Sequence, residues 1–311
     1  MLTILKLNNR HFEAMREGTL TAVMSISKKN VNEDACAVIA NHHNGTKGIV
    51  VADGVGSFYG SDLASLIVTT AIKTYLEGNM NPWDADLKQA FSIAGRVLFD
   101  QTRKGAKLLP AGVDRTRAYG TTALCAVDAE DYFKVAYVGN GSIHHLRGNF
   151  DQICQGRLLP SNAVNLLNPH CHWEDGRSVL GRIMSPTTGD AESTPTVLQL
   201  SKDELLGDIL VLATDGIYTY DDVQIGKDPR GEIFIEAKRS MVWLYEALAD
   251  FLAGELREDN LQRHLEDYLH KLDANHLVED DCTVAVLISG QALRYRQSLR
   301  KAMASGMAVM R

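Results

Sequence analysis

The sequence lacks the features that define several large classes of protein. It has no run of about 18 consecutive apolar residues, so we expect no membrane-spanning helix. Its first residues mix charges with apolar positions and show no small-residue cleavage site, which argues against a secretory signal. A P-loop, a dinucleotide-binding fingerprint and internal repeats are also missing. The function must therefore be sought in other patterns.

The sequence also has few cysteines, and its net charge is negative. The five cysteines among 311 residues are scattered and form no C-x-x-C pair, so we expect reduced thiols in a cytoplasmic protein. The formal net charge of −7 argues against a general affinity for nucleic acid or for an anionic membrane surface. Hydrophobic residues (45%) and charged residues (23%) have ordinary globular proportions. We expect a globular monomer.

Strand-like and helix-like patterns follow one another along most of the chain. The runs TAVMSIS and ACAVIA, between Thr21 and Ala40, predict two strands joined by a turn with carboxylates. The runs TTALCAVDA, YFKVAYVGN and SIHHLRG predict an antiparallel meander. Asn81-Pro82 suits a helix start. Helical periodicity is present in residues 61–77, 237–256 and 259–273. Together these patterns favour an α+β layered domain.

The chain divides into a main domain and two end segments. We expect an N-terminal extension over residues 1–18, one domain over 19–290 and a basic amphipathic helix over 291–311. The helix is expected to pack on the domain with a solvated face. Residues 155–194 show little periodicity and several Pro, Gly and Ser, which predicts a long irregular insertion. Insertions of that length in compact domains are usually functional.

Carboxylates follow or precede predicted strands at four places, which are Glu33-Asp34, Asp53-Gly54, Asp215-Gly216 and Asp280-Asp281. The segments VVADG and LVLATDG share one shape, in which glycine lets the backbone turn sharply and approach a ligand. A single Asp-Gly is more often a hairpin turn. Several carboxylates at one edge, however, would repel one another without a cation. Because Mg²⁺ and Mn²⁺ prefer oxygen ligands, the pattern predicts a site for hard cations.

Six segments occur in an order that is similar to the signature blocks of one enzyme family. They are NEDA (32–35), VADGVGS (51–57), YGTTA (119–123), YVGNGS (137–142), LATDGI (212–217) and DDCTVAVL (280–287). Over residues 20–290 the chain thus resembles the type 2C (PPM) metal-dependent serine/threonine protein phosphatases. The resemblance implies a four-layer α-β-β-α sandwich of two antiparallel sheets flanked by helix pairs. It also makes residues 19–290 the catalytic domain and residues 155–194 a flap-like segment beside the active site.

The same resemblance implies a role for each acidic position. Asp53 would bridge two divalent cations, Mn²⁺ or Mg²⁺. Asp215 and Asp280 would complete the ligands of one cation, and Glu33 and the backbone carbonyl of Gly54 would serve the other. Such a pair of cations lowers the pKa of water and supports direct attack on phosphorus.

Four further positions belong to the implied active site or depart from the family pattern. Asp34 would orient a water molecule. Lys29 stands where the family has a phosphate-binding arginine, and it offers charge without a bidentate fork. Val55 replaces a histidine of many eukaryotic members, which indicates a bacterial-type enzyme without a side-chain acid there. Asn140 replaces an aspartate that often helps to hold a third metal.

Three functions remain open on these grounds. The first is a phosphoprotein phosphatase that opposes a Ser/Thr kinase, and the intact acidic set favours it because buried like charges are costly. The second is a weak or silent phosphatase-fold binding module, which Lys29, Val55 and Asn140 keep open. The third is a phosphatase for a small phosphorylated metabolite with the same chemistry.

Other reactive residues have simpler explanations. The segment HCHWED (170–175) resembles a zinc cluster, but it has no matching second pair and predicts a surface loop. His144 and His145 alternate across a predicted strand and cannot bind one ion together. Ser57 and Ser142 are not part of a G-x-S-x-G elbow.

Overall fold

The computed structural model describes residues 18–43, 45–78, 86–105, 109–129, 132–150, 163–175, 177–187, 194–217, 223–227, 233–237, 239–278 and 280–305. Its strands in chain order are β1 (Leu20–Ile26), β2 (Asp34–Ala40), β3 (Lys47–Asp53), β4 (Ala123–Asp128), β5 (Tyr132–Val138), β6 (Ser142–Arg147), β7 (Ala163–Asn165), β8 (Cys171–Glu174), β9 (Arg177–Leu180), β10 (Thr196–Ser201), β11 (Asp208–Ala213), β12 (Val223–Lys227), β13 (Ile233–Ala237) and β14 (Cys282–Ile288). The helices are α1 (Ser61–Gly78), α2 (Leu87–Gly105), α3 (Arg239–Ala253), α4 (Glu258–Ala274) and α5 (Gly290–Ala304).

Two antiparallel five-stranded sheets form the centre of the fold. The first sheet has the order β1-β14-β11-β6-β7 and the second has the order β10-β5-β4-β3-β2. Side chains alternate between the two faces of each strand. In β3, for example, Ile49 and Val51 pack between the sheets, while Val50 and Ala52 face helices. The central strands are therefore apolar throughout, because both of their faces are buried.

The helices cover the outer faces of the two sheets. Helices α1 and α2 share one apolar cluster with the second sheet, and α3, α4 and α5 share another with the first sheet. The α-β-β-α arrangement that the resemblance implied is thereby confirmed. Helix α2 begins after Asp86, whose Oδ1 accepts a hydrogen bond from Gln89 N at 3.0 Å. Asn81 and Pro82, the predicted helix start, lie outside the described residues.

Two connections cross from one sheet to the other, and the second of them shows that the predicted three-strand meander is wrong. Strands β1 and β2 exist, but they pair with β14 and β3 respectively, so the turn between them crosses from one sheet to the other. The predicted meander ends after β5, because β6 joins the first sheet beside β11. Gly139 and Gly141 have positive φ angles (101° and 109°) and make that second crossing possible.

Residues 163–187 are more regular than the predicted insertion. Strand β7 extends the first sheet, and β8 and β9 form a hairpin. A further hairpin, β12–β13, was not predicted. None of the helices in the described part of the chain combines the length and hydropathy that a membrane crossing requires.

The C-terminal helix packs against the domain. Ser289 caps α5 by accepting a hydrogen bond from Ala292 N at 3.2 Å. Arg296 lies over the ring of Phe150, with its Cζ 5.4 Å from the ring centroid. Arg300 donates to the carbonyl oxygen of Gly254 at 2.6 Å. Two basic residues of α5, Arg296 and Arg300, thus face the rest of the domain.

Candidate active site and metal centre

Acidic residues from both sheets meet at one edge of the sandwich. Asp34 and Asp53 are direct partners in β2 and β3 of the second sheet. Asp215 and Asp280 flank β11 and β14, which are neighbours in the first sheet. Thr214 connects the two sheets, because its Oγ1 donates to Asp34 Oδ2 at 2.8 Å. The structure thus brings together acids that are up to 246 positions apart (280 − 34) in the chain.

The innermost acids form a continuous chain of interacting carboxyl groups. Asp53 interacts electrostatically with both Asp34 and Asp215. Burial raises the pKa of Asp53 well above its ordinary value, and the charges of Asp215 and Asp34 raise it further. Burial also raises the pKa of Asp215, and it raises the pKa of Asp34 to about 6 although the hydrogen bond from Thr214 lowers it. Carboxylates this close cannot all be ionised unless positive charge joins them.

Lys29 lies between two carboxylates on the more exposed side of this group. Its Nζ forms an ion pair with Glu33 Oε2 and another with Asp280 Oδ1, at 2.7 Å in the second case. Burial lowers the pKa of Lys29, but the hydrogen bonds and charges of Asp280 and Glu33 outweigh it, so the pKa lies above its ordinary value. The lysine that was predicted to bind phosphate therefore contacts two predicted metal ligands.

The backbone around Gly54 leaves no room for a side chain. Gly54 N donates to the carbonyl oxygen of Glu33 at 3.0 Å. A Cβ at Gly54 would lie 2.6 Å from Ser61 O and 2.8 Å from Glu33 O. At the start of α1, Ser61 Oγ donates to Glu33 Oε1 at 2.5 Å. The next residue, Val55, presents an apolar side chain and no proton donor.

Two neighbouring segments hold the backbone of Asp53 and the side chain of Asp215 in position. Thr122 Oγ1 accepts a hydrogen bond from Asp53 N at 3.1 Å, and Thr121 Oγ1 donates to Asp53 O at 2.8 Å. Thr121 also pairs through its backbone with Met184, which connects the segment after β9 to the strand of Asp53. Asn140 Nδ2 donates to Asp215 Oδ2 at 2.7 Å. Asn140 thus supports a predicted ligand directly.

Asp281 is the residue whose role the sequence did not reveal. Its side chain is buried, and burial raises its pKa, but hydrogen bonds from the backbone outweigh this and lower the pKa below the ordinary value. It accepts hydrogen bonds from Ser27 Oγ (3.0 Å) and from the backbone N–H groups of Lys28 (2.8 Å), Lys29 (3.3 Å) and Glu33 (2.8 Å). Asp281 therefore fixes the turn that carries both Lys29 and Glu33.

The histidines of the discounted cluster point to different partners. His170 Nδ1 accepts a hydrogen bond from Gly139 N at 3.1 Å, and its ring stacks on Tyr137 with centroids 5.0 Å apart. His172 Nε2 lies 3.7 Å from Glu174 Oε2 in an exposed pair. The segment forms part of the β8–β9 hairpin rather than the predicted loop, and its two rings do not converge on one ion.

His144 and His145 diverge as predicted. His144 is buried and its Nδ1 lies 3.2 Å from the hydroxyl oxygen of Tyr245, whereas His145 Nε2 lies 2.7 Å from Asp208 Oδ1. Burial lowers the pKa of His144 to about 4. Their divergence excludes a metal ion shared by this pair.

The predicted oxygen donors suit hard divalent cations, although they are not arranged as a finished metal site. Among the residues that the structure describes, no three His, Cys, Asp or Glu side chains form such a site. The donors are all oxygens, which Mg²⁺ and Mn²⁺ prefer. Burial and neighbouring carboxylates raise the pKa values of Asp53 and Asp215, so a bound cation would favour their ionised forms. At the rim of the group, Lys29 supplies a single positive charge.

Comparisons with known proteins agree with this architecture. The profile of the protein phosphatase 2C family matches residues 23–270. Similar solved structures include a bacterial serine phosphatase (TM-score 0.58, 15% identity, covering 86% of this chain and 96% of that one). A serine/threonine phosphatase from Staphylococcus aureus is also similar (TM-score 0.58, 17% identity, 86% and 94%). So is the catalytic domain of the protein phosphatase PstP in complex with two manganese ions (TM-score 0.56, 17% identity, 87% and 98%).

No curated protein sequence matches the chain. The structural likeness, at this level of identity, shows the fold. The family profile covers most of the chain and includes four of the five predicted ligand positions. The resemblance found in the sequence is thereby confirmed. The chain belongs to the protein phosphatase 2C family.

Proposed function

We propose that the protein hydrolyses phosphoserine or phosphothreonine in phosphoproteins with two divalent cations, Mn²⁺ or Mg²⁺. The observation that supports this most is the meeting of Asp34, Asp53 and Asp215 at one edge of both sheets. Such a group of acids is unfavourable unless cations bind it, and it has no evident structural use. The partner would be a protein phosphorylated by a Ser/Thr kinase.

The cations would be held by oxygen atoms of Glu33, Asp53, Gly54, Asp215 and Asp280, with the backbone carbonyl acting at Gly54. When bound, two such cations lower the pKa of water and offset the charge of the phosphoryl group. Hydrolysis by this chemistry needs no phosphorylated enzyme, because water attacks phosphorus directly.

The remaining residues would orient the reactants. Asp34 is fixed by the hydroxyl of Thr214 and can accept a hydrogen bond from an attacking water molecule. Lys29 can attract the phosphate as a point charge, with less geometric specificity than arginine. Val55 offers no proton to the leaving oxygen, so that proton must come from water.

A metal-dependent assay with one ligand removed tests this proposal. We expect hydrolysis of p-nitrophenyl phosphate with Mn²⁺, loss of activity with a chelator, and a loss of about 100-fold or more in Asp53→Ala. Glu204→Ala is the control, because Glu204 is an exposed acid outside the candidate site. It precedes β11, whereas the candidate ligand Asp215 follows the opposite end of that strand. Equal rates for Asp53→Ala and the unaltered protein would refute the proposal.

The silent binding module remains a second candidate, since Lys29 and Asn140 already engage three predicted ligands. Calorimetry separates the two: Mn²⁺ or phosphopeptide binding without any turnover would favour the module. Rates on phosphopeptides and on free phosphorylated metabolites distinguish a protein phosphatase from a metabolite phosphatase. We expect faster turnover of the peptides.

A further inference from the structure

We propose that Lys29 is a built-in cation that neutralises the rim of the ligand set and must be displaced before a divalent cation binds there. This inference rests on the proposed two-cation function. It assigns to Lys29 a role before phosphate arrives, in addition to the phosphate contact that the family resemblance implies. The inference starts from the two ion pairs that Lys29 makes with Glu33 and Asp280.

The ion pairs occupy oxygens that a cation needs. Lys29 Nζ contacts Glu33 Oε2 directly and lies 2.7 Å from Asp280 Oδ1. The other oxygen of Glu33 already accepts a hydrogen bond from Ser61. Glu33 and Asp280 are assigned to different cations, but a cation at either side chain would lie next to the ammonium group. Two positive charges so close repel each other. The ammonium group and the cation therefore compete for the same carboxylates.

The chain keeps Lys29 close while leaving its side chain free to move. Asp281 binds the backbone N–H of Lys29 and that of Glu33, so the turn stays in place. The Lys29 side chain is 39% exposed and consists of a flexible four-carbon stem. A Cβ at Gly56 would lie 3.2 Å from Glu33 Oε2 and 3.4 Å from Nζ, so the glycine keeps this side of the ion pair open. Displacement thus requires a change of side-chain rotamer and no movement of the backbone.

The competition has a consequence for the order of events. While Lys29 is paired with Glu33 and Asp280, its charge is already neutralised and attracts phosphate weakly. Once a cation replaces it, the ammonium group is released near the site and can bind phosphate. Cation loading would therefore prepare the phosphate-binding charge, and the unloaded protein would have little affinity for substrate.

Lys29→Met and its neighbour Lys28→Met form a matched pair for the test. Lys28 carries the same charge but pairs with Asp273 and touches none of the predicted ligands. Isothermal titration calorimetry with Mn²⁺ measures the dissociation constant of each protein. We expect Lys29→Met to bind Mn²⁺ about tenfold more tightly than the unaltered protein, because a repelling charge is gone. Lys28→Met should change affinity much less, and Lys29→Arg should not bind more tightly.

Thermal denaturation provides a second readout that does not depend on activity. Without metal, Lys29→Met should melt below Lys28→Met, because Glu33 and Asp280 then lack a counter-charge. Added Mn²⁺ should raise the melting temperature of Lys29→Met by more than that of the other two proteins. Both results together support a competing lysine.

The possible failures are distinguishable. If Lys29→Met binds Mn²⁺ with the same or lower affinity than the unaltered protein, Lys29 does not compete and the inference is overturned. If none of the proteins binds Mn²⁺, the proposed two-cation function itself fails. Tighter binding in both methionine variants to the same extent would indicate a general charge effect and would also overturn the inference.

Discussion

Replacing Asp281 with alanine should loosen the turn that carries Lys29 and Glu33. In the native structure this buried carboxylate accepts four hydrogen bonds from the turn. Three of them are 3.0 Å or shorter, while the one from Lys29 N is 3.3 Å. Alanine removes every acceptor and leaves partly buried N–H groups without this partner.

The expected loss of stability follows from those hydrogen bonds. A hydrogen bond to a charged group contributes about 1.5–3 kcal/mol, but part of that is regained when water enters the space. Because the two short bonds from Lys28 N and Glu33 N disappear, we expect the free energy of unfolding to fall by about 3–4 kcal/mol. For a domain of this size, that corresponds to a melting temperature lower by roughly 6–15 °C.

Asp280→Ala is the natural control, because the two residues are adjacent and have opposite surroundings. The Asp280 side chain is 53% exposed, so its removal should change the melting temperature by only about 2 °C. Mn²⁺ binding, measured by calorimetry, should weaken in both variants, through loss of a ligand in Asp280→Ala and displacement of Glu33 in Asp281→Ala. The reasoning is wrong if Asp281→Ala melts within about 2 °C of the unaltered protein, or if Asp280→Ala is the more destabilised variant.

Two more predictions concern backbone space and pH. Gly54→Ala should lower the melting temperature and the Mn²⁺-dependent activity, because its Cβ would lie 2.6–2.8 Å from backbone atoms. The control is Gly95→Ala in α2, whose Cβ would have nothing within 4 Å, and it should stabilise the protein by about 0.5–1 kcal/mol. His144 is held neutral by burial, with a pKa of about 4 against an unperturbed 6.5, so its contribution is complete above pH 6.5 and is lost as pH falls towards 4. The free energy of unfolding can be measured by urea titration at several pH values between about 7.5 and 4. Over this range it should fall by about 3 kcal/mol more in the unaltered protein than in His144→Gln. Equal slopes would contradict this second prediction.

Local structure could be predicted where one short segment carries all the information. The run CTVAVLI indicated the strand that forms β14, and the apolar stripes of residues 237–256 and 259–273 indicated helices α3 and α4. These patterns report the burial of a face, which depends on side chains a few residues apart. The four acidic positions at strand ends, two of them Asp-Gly, were visible for the same reason.

The pairing of strands could not be predicted from local patterns. Strands β1 and β2 are adjacent in sequence but belong to different sheets, and β6 leaves the series that starts with β4 and β5. An apolar strand buried on both faces is equally suited to either sheet. The choice depends on which distant strand supplies the missing hydrogen bonds, and that is a property of the whole fold.

By itself, the sequence determined the family, the acidic residues and the oxygen chemistry of the candidate site, because these depend on residue types in a fixed order. Only the tertiary structure decided how each residue is used. Asp280 and Asp281, which directly precede β14, are indistinguishable as a dipeptide, yet their side chains have different partners. One meets Lys29 near solvent, and the other is buried beneath the turn that holds Lys29 and Glu33 in place.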